Sequence, residues 1–237
     1  MADLPRGPLI LGHRGAPHEF PENSLGGFRR AVELGADGVE FDVQRSMDGV
    51  PVVIHDPTLD RTTNGVGAVS AQPWAALSAL SAGPGESLRQ LREVAEWAAT
   101  SGAWLNVELK SAGVESATLQ ALERAGVLGR SLLSSFLPGA VAEVGRLLPG
   151  ARRALLSECW DAGVAARVRS SGAGGVCLHR SAATREVLDQ LRGAGLFAVV
   201  WTVDEAAEIR ALVRQGVWAI ITNRPEVAVA ARLAADL

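Results

Sequence analysis

The sequence predicts an α/β fold, a parallel (β/α)8 TIM barrel with a hairpin and a small insertion after its second strand. Short apolar runs, most of them preceded by glycine, alternate along the chain with amphipathic segments of helical period. The length of 237 residues is typical of one such barrel, so we expect residues 1–237 to form a single domain. A doubly wound open sheet is the alternative that the same alternation allows.

The predicted strands are short runs rich in Val, Ile and Leu. Such runs are typical of parallel strands that are buried on both faces. They are predicted near residues 8–12, 38–43, 104–110, 131–135, 153–157, 175–179, 196–202 and 217–222.

Between the strands, apolar residues recur with the spacing of an amphipathic helix. Phe28, Ala31 and Val32 form the first apolar stripe, and Asn23 is its predicted N-cap. A later stripe follows Asp204, which is predicted to cap the helix of that segment. Each strand is therefore expected to be followed by a helix that packs on the outside of the sheet.

One strand-like run breaks this alternation. Residues 51–55 follow the second strand without a helix between, and Asp48-Gly49, a typical hairpin turn, separates the two. We therefore predict an antiparallel excursion from the second strand. Residues 57–87, rich in Thr, Gly, Ser and Pro, then form an insertion before a helix at about 88–101. Loops of that length in compact domains are often functional.

Composition excludes several classes of protein. The chain is 48% hydrophobic and 21% charged with a net charge of -3, which excludes a disordered chain and argues against a nucleic-acid partner. Cys159 and Cys177 are too few for a disulfide scaffold. With no apolar run of about 18 residues and no secretion signal, we expect no stable membrane insertion and a cytoplasmic location. Of the 23 basic residues, only Lys110 is a lysine.

Acidic side chains gather where two neighbouring strands are predicted to end. Glu40 and Asp42 are two residues apart and so share one strand face, and Glu108 and Lys110 do the same on the next barrel strand. Three carboxylates at one place repel each other unless a cation joins them. Oxygen ligands favour one divalent ion, Mg²⁺ or Ca²⁺, whereas no cysteine is close enough in sequence to favour zinc.

Two histidines are predicted at strand ends facing the same carboxylates. His13 ends the first strand, next to Arg14, and His55 ends the hairpin run. A pair of histidines beside such a cluster is typical of general acid–base chemistry. His18 and His179 have no such surroundings in the sequence, and we assign them no role.

At these residues the sequence resembles the glycerophosphodiester phosphodiesterase family. The linked stretches 38–43 and 48–65 carry the most specific part of the likeness. The matching segments are His13-Arg14-Gly15 with Pro21-Glu22-Asn23-Ser24, 38–43, 48–65, 106–110, 201–204 and 221–225.

The resemblance implies a single catalytic barrel domain that hydrolyses glycerophosphodiesters to glycerol 3-phosphate and an alcohol. The expected partner of the chain is this small-molecule substrate, and no nucleic-acid partner is expected. A homodimer is one expected assembly. The attacking group is either water or the glycerol hydroxyl of the substrate. The implied site consists of His13 and His55 as acid/base pair, Glu40, Asp42 and Glu108 as ligands of one Mg²⁺ or Ca²⁺, and Arg14, Lys110, Trp201 and Phe136 as substrate-binding residues.

The chain departs from the family pattern at two positions. The family often has Asn where Asp204 stands and Asp where Asn223 stands, and both residues suit helix caps. Competing functions are a barrel that only binds phosphodiesters, an enolising barrel with Lys110 as base, and a lysophospholipase D-like phosphodiesterase. The last needs an apolar lining in the insertion, for which the candidates are Val66, Val69, Trp74 and Leu77.

Overall fold

Eight parallel strands close into a barrel in the computed structural model, which describes residues 7–235 of the chain. The strands are β1 (Leu9–His13), β2 (Gly38–Arg45), β3 (Pro51–Val53), β4 (Arg89–Gln90), β5 (Trp104–Leu109), β6 (Ser131–Ser135), β7 (Arg153–Ser157), β8 (Gly175–His179), β9 (Phe197–Trp201) and β10 (Ala219–Thr222). Around the barrel they run β1-β2-β5-β6-β7-β8-β9-β10, and β10 pairs with β1. This closure confirms the barrel over the open sheet.

Helices follow the barrel strands on the outside, and one short helix, residues 74–77, lies in the insertion. They are α1 (Leu25–Glu33), α2 (Trp74–Leu77), α3 (Leu91–Ser101), α4 (Glu115–Arg124), α5 (Pro138–Leu147), α6 (Ala162–Ser171), α7 (Arg185–Gly193), α8 (Ala206–Arg214) and α9 (Pro225–Ala235). None of these helices of residues 7–235 has the length and apolarity that a membrane span needs.

The barrel wall separates two apolar cores. Along β2, Val39, Phe41 and Val43 face outward into the core beneath the helices. Inside the barrel, residues such as Leu11 and Ile221 form a second core. Because side chains alternate across a strand, the residues between the outward-facing ones point into the barrel, and at the carboxyl ends these are polar.

The hairpin and the insertion occur where the sequence predicts them. β3 pairs antiparallel with β2, and β4 pairs antiparallel with β3. The insertion has an apolar core of its own, to which Leu59, Val69 and Leu77 contribute fully buried side chains. It therefore forms a packed structure on the hairpin.

Both predicted helix caps are wrong. Ser24 caps α1 by accepting a hydrogen bond from the backbone N–H of Gly27, and Asn23 precedes it with a left-handed φ of 58°. Glu205 stands at the N-cap position of α8, without a side-chain cap bond. In both places the predicted residue binds a neighbouring strand end instead, as described below.

Candidate active site

Strand register brings the acidic side chains together. In the β1–β2 pairing, His13 lies opposite Glu40, and in the β2–β5 pairing, Asp42 lies opposite Glu108. One carboxylate oxygen from each of Glu40, Asp42 and Glu108 lies within 4.8 Å of the others, and all three residues are buried. We call these three residues the carboxylate triad.

The triad carries more negative charge than its surroundings favour. Burial raises the pKa of Glu40 well above its usual value, and repulsion from Asp42 and Glu108 adds to the effect. Burial and Asp42 also raise the pKa of Glu108. Three buried oxygen donors at this spacing fit a hard divalent cation, which would relieve that repulsion.

Two basic side chains contact the triad from opposite sides. Lys110 Nζ donates a hydrogen bond of 2.8 Å to Glu108 Oε1 and lies 3.6 Å from Asp42 Oδ1. Burial by itself would lower the pKa of Lys110, but Glu108 and Asp42 outweigh it, so the pKa is raised and the ammonium stays charged. Arg14, with a left-handed φ of 54°, places its Nε 3.3 Å from Asp42 Oδ2 and donates through Nη1 to Glu22.

Asn23, the predicted cap, holds one member of the triad. Its Nδ2 donates to Asp42 Oδ2 at 3.0 Å, and its Oδ1 accepts from the backbone N–H of Asp42 at 3.2 Å. The amide therefore fixes the carboxylate of Asp42. Its left-handed backbone turns the chain so that Ser24, one residue later, caps the helix.

His13 is held by the side-chain amide of Asn223, which is half-buried. The Nδ2 of Asn223 donates to Asp204 Oδ2 at 2.9 Å, and the backbone N–H of Asn223 donates to Asp204 Oδ1 at 2.7 Å. These bonds fix the orientation of the amide, so its Oδ1 accepts from His13 Nδ1 at 2.7 Å. The proton of neutral His13 is therefore on Nδ1, and its Nε2 is 3.9 Å from Glu40 Oε2. Burial lowers the pKa of His13, which keeps the ring neutral near pH 7.

His55 is held by a charged network. Its Nδ1 lies 2.6 Å from Asp56 Oδ1, and Arg61 donates to Asp56 Oδ2 at 2.6 Å. Arg61 also donates to Glu22 at 2.8 Å. The hydrogen bond from Arg61, followed by that from His55, holds the pKa of Asp56 well below its usual range. The carboxylate of Asp56, itself held by Arg61, therefore fixes the orientation of the His55 ring.

One cavity of about 220 Å³ at the carboxyl ends of the strands joins these groups. It is lined by His13, Arg14, Glu40, His55, Glu108, Lys110, Phe136 and Trp201, which are all the predicted site residues except Asp42. Asp42 is buried behind Arg14. The rings of Phe136 and Trp201 pack edge to face with centroids 5.8 Å apart, on one side of the cavity.

Sequence reasoning missed several residues of this site. Asn106 and Glu158 line the cavity. Asn106 lies two residues before Glu108 on the same strand face, so strand alternation could have found it. Asp204 and Asn223 lie in segments that match the family, but their own sequence pattern predicts only helix caps. Their mutual bond joins the ends of two adjacent strands, which the local sequence pattern does not reveal.

The closed parallel barrel with polar side chains at its carboxyl ends defines a TIM-barrel enzyme. Residues 13–227 match the sequence profile of the Glycerophosphoryl diester phosphodiesterase family. A glycerophosphodiester phosphodiesterase of Caldanaerobacter subterraneus subsp. tengcongensis is 33% identical over 237 residues, covering 92% of this chain and 95% of the relative. The chain belongs to this family, as its motifs predict, and is a phosphoric diester hydrolase.

Solved structures share the same barrel. The putative glycerophosphoryl diester phosphodiesterase of Silicibacter pomeroyi superposes with a TM-score of 0.88 at 26% identity, covering 99% of this chain and 96% of that one. An Oleispira antarctica phosphodiesterase, solved in complex with the product sn-glycerol-3-phosphate, gives a TM-score of 0.84 at 29% identity over 95% of this chain and 96% of that one. The likeness therefore extends over the barrel as a whole.

Proposed function

We propose that this chain hydrolyses glycerophosphodiesters to glycerol 3-phosphate and an alcohol, as a single catalytic barrel domain. The observation that carries the proposal is the carboxylate triad in one cavity with His13 and His55. The product complex of the Oleispira antarctica relative supports glycerol 3-phosphate as the part of the substrate that the cavity holds.

The two histidines have different roles. His13 donates its only ring proton to Asn223 Oδ1, so its free Nε2 faces the cavity and accepts the proton of the attacking oxygen. His55, whose Nδ1 is held by the carboxylate of Asp56, is the general acid and donates a proton to the oxygen of the leaving alcohol. The pair returns to its starting state when His13 releases its extra proton to water and His55 takes up a proton from water.

The charges around the triad suit a phosphate diester. Glu40, Asp42 and Glu108 would hold one Mg²⁺ or Ca²⁺, which when bound supplies polarisation of a phosphoryl oxygen. Arg14 and Lys110 approach the triad from two sides and would neutralise charge that develops on the other phosphoryl oxygens.

The aromatic side of the cavity suits the carbon skeleton of glycerol. Phe136 and Trp201 present apolar ring faces and edges to the cavity, and Lys110 Nζ lies 5.9 Å from the centre of the Phe136 ring. A small molecule with one anionic end and a short carbon chain can contact both sides of a cavity of this size.

A glycerophosphodiester fits better than a lysophospholipid. Val69 and Leu77, two of the apolar residues that could line a site for an acyl chain, are buried in the core of the insertion. Val66 is 75% exposed at the surface. Because Val69 and Leu77 pack inside the insertion, they offer no lining for an acyl chain, which supports the smaller substrate. A cytoplasmic location, in line with the free thiols of Cys159 and Cys177, and a homodimer stay predictions.

The proposed function is tested by assaying the purified chain with glycerophosphoglycerol and Mg²⁺ or Ca²⁺. We expect release of glycerol 3-phosphate, measured with a coupled glycerol-3-phosphate dehydrogenase. The matching lysophospholipid would yield an acylated glycerol 3-phosphate, so its turnover, which we expect to be slower, is measured by release of the free alcohol. Turnover of the lysophospholipid alone would overturn the substrate assignment. The same assay with phosphate detection excludes further hydrolysis to glycerol.

A further inference from the structure

A second cavity adjoins the active-site cavity on the side of the insertion. Its volume is about 490 Å³, and it shares His55 and Lys110 with the active-site cavity. It is also lined by Gln44 and Arg45 at the end of β2 and by Ser111 after β5. A molecule whose phosphate lies at Lys110 can therefore extend past His55 into this second cavity.

The chemistry of the second cavity is cationic and polar. Among residues 7–235, no carboxylate lines it, and its only aromatic ring is the imidazole of His55. Within residues 7–235, the exposed side chain of Arg45 has no ion-pair or hydrogen-bond partner; it lies along the backbone at Gly113. The Oγ of Ser111 is buried and likewise lacks a partner there. A cationic headgroup would meet only positive charge, whereas an anionic group would find both a guanidinium and a free hydroxyl.

We propose that the second cavity binds the leaving alcohol and favours an alcohol that carries an anionic group. This inference rests on the proposed function, since the substrate must bridge the two cavities with its phosphate at the triad. The ring of His55 lines both cavities and stands at their junction, where the oxygen of the departing alcohol would lie. Arg45 recognises the anionic group, and Ser111 donates a hydrogen bond to it.

Two substrates that differ by one carboxylate test this proposal. Glycerophosphoserine and glycerophosphoethanolamine both release glycerol 3-phosphate, so one assay measures kcat/KM for each. For the unaltered chain we expect the serine substrate to be favoured about fivefold. In Arg45→Gln the serine-to-ethanolamine ratio should fall to about one, and in Ser111→Ala it should fall part of the way.

A matched control removes the same charge elsewhere. Arg124, in the last turn of α4, is exposed, and Arg124→Gln should leave both the ratio and the rates unchanged. If both substrates are hydrolysed but the ratio is near one, or does not change in Arg45→Gln, the second-cavity proposal is overturned while the proposed function stands. If neither substrate releases glycerol 3-phosphate, and glycerophosphoglycerol does not either, the proposed function fails and this inference with it.

Discussion

The two histidines of the cavity lie in regions of different construction. His13 stands on a barrel strand, and its partner Asn223 lies directly after β10, the neighbouring strand of the barrel. His55 lies beyond the end of β3, and its support ends in Arg61 of the insertion, whose side chain is 49% exposed. One ring is thus held by a neutral amide within the barrel frame, and the other by charged groups near the surface.

This difference indicates how one barrel can give two histidines opposite roles in the proposed proton transfers. Burial lowers the pKa of His13, and its hydrogen bond to the amide oxygen of Asn223 leaves Nε2 free to accept a proton. The carboxylate of Asp56 instead links His55 to Arg61. In the proposed mechanism the base therefore belongs to the barrel, whereas the acid depends on the hairpin and the insertion.

The largest expected effect comes from removing either ring. His13→Ala and His55→Ala should each lower kcat by a factor of about 10²–10⁴, because each loses one proton transfer. The measurement is steady-state release of glycerol 3-phosphate. His18→Ala, an exposed loop histidine, is the control. A loss of less than tenfold in both variants would sink the acid–base assignment.

The next largest fall in kcat is expected from a change at Lys110, which contacts the carboxylate triad. Lys110→Arg keeps the charge, but the planar guanidinium does not fit the position in which Nζ contacts both Glu108 and Asp42. We expect kcat to fall about tenfold or more. Unchanged turnover would show that only the charge at residue 110 matters.

The barrel side of the comparison is tested at Asn223. Asn223→Ala removes the acceptor for His13 Nδ1–H, and we expect kcat to fall about tenfold with little change in KM. Histidine ¹⁵N chemical shifts should then show both tautomers of His13. The double variant Asp204→Asn/Asn223→Asp can keep a bond between the two side chains and should recover part of the activity. If Asn223→Ala keeps its full kcat and a single tautomer, the amide does not position the ring.

The smallest fall in kcat is expected from a change in the insertion, at Arg61. Arg61 is half exposed, so its ion pairs with Asp56 and Glu22 are weakened by solvent and salt. Arg61→Gln should lower kcat about twofold to fivefold, and the gap from the unaltered chain should narrow at high salt. Arg146→Gln, which removes an exposed pair on α5, is the control. A defect that is independent of salt would assign Arg61 a role other than charge.

The sequence predicts the features that depend on local pattern, and it does not predict the contacts between residues that are distant in the chain. Strands β6, β7 and β8 have the predicted bounds, because short apolar runs between glycines and helices define them. The triad could be predicted because the i, i+2 spacing puts carboxylates on one strand face. The residues that hold the two histidines in place could not be predicted from the sequence. The residues of the His13–Asn223 bond are 210 positions apart, and those of the Arg61–Glu22 bond are 39 apart, so only the folded barrel shows either.

Local reasoning failed at the caps for a related reason. Asp and Asn are favoured at helix N-caps, so the local sequence predicts that Asn23 and Asp204 each cap a helix. Each instead binds a residue on another strand or its end, Asp42 for the first and Asn223 for the second. Polar residues near the carboxyl ends of barrel strands have such long-range partners within reach, and the sequence pattern alone cannot distinguish the two uses.

The most direct test of the account concerns the cation that we propose the carboxylate triad holds. The chain is treated with EDTA, dialysed, and titrated with Mg²⁺ or Ca²⁺ while cation binding and glycerol 3-phosphate release are both recorded. We predict a loss of activity on the order of a hundredfold or more after chelation, recovery on binding of one cation per chain, and weakened binding in Glu108→Gln. Full activity in the chelated chain, or unchanged cation binding in Glu108→Gln, would contradict the account.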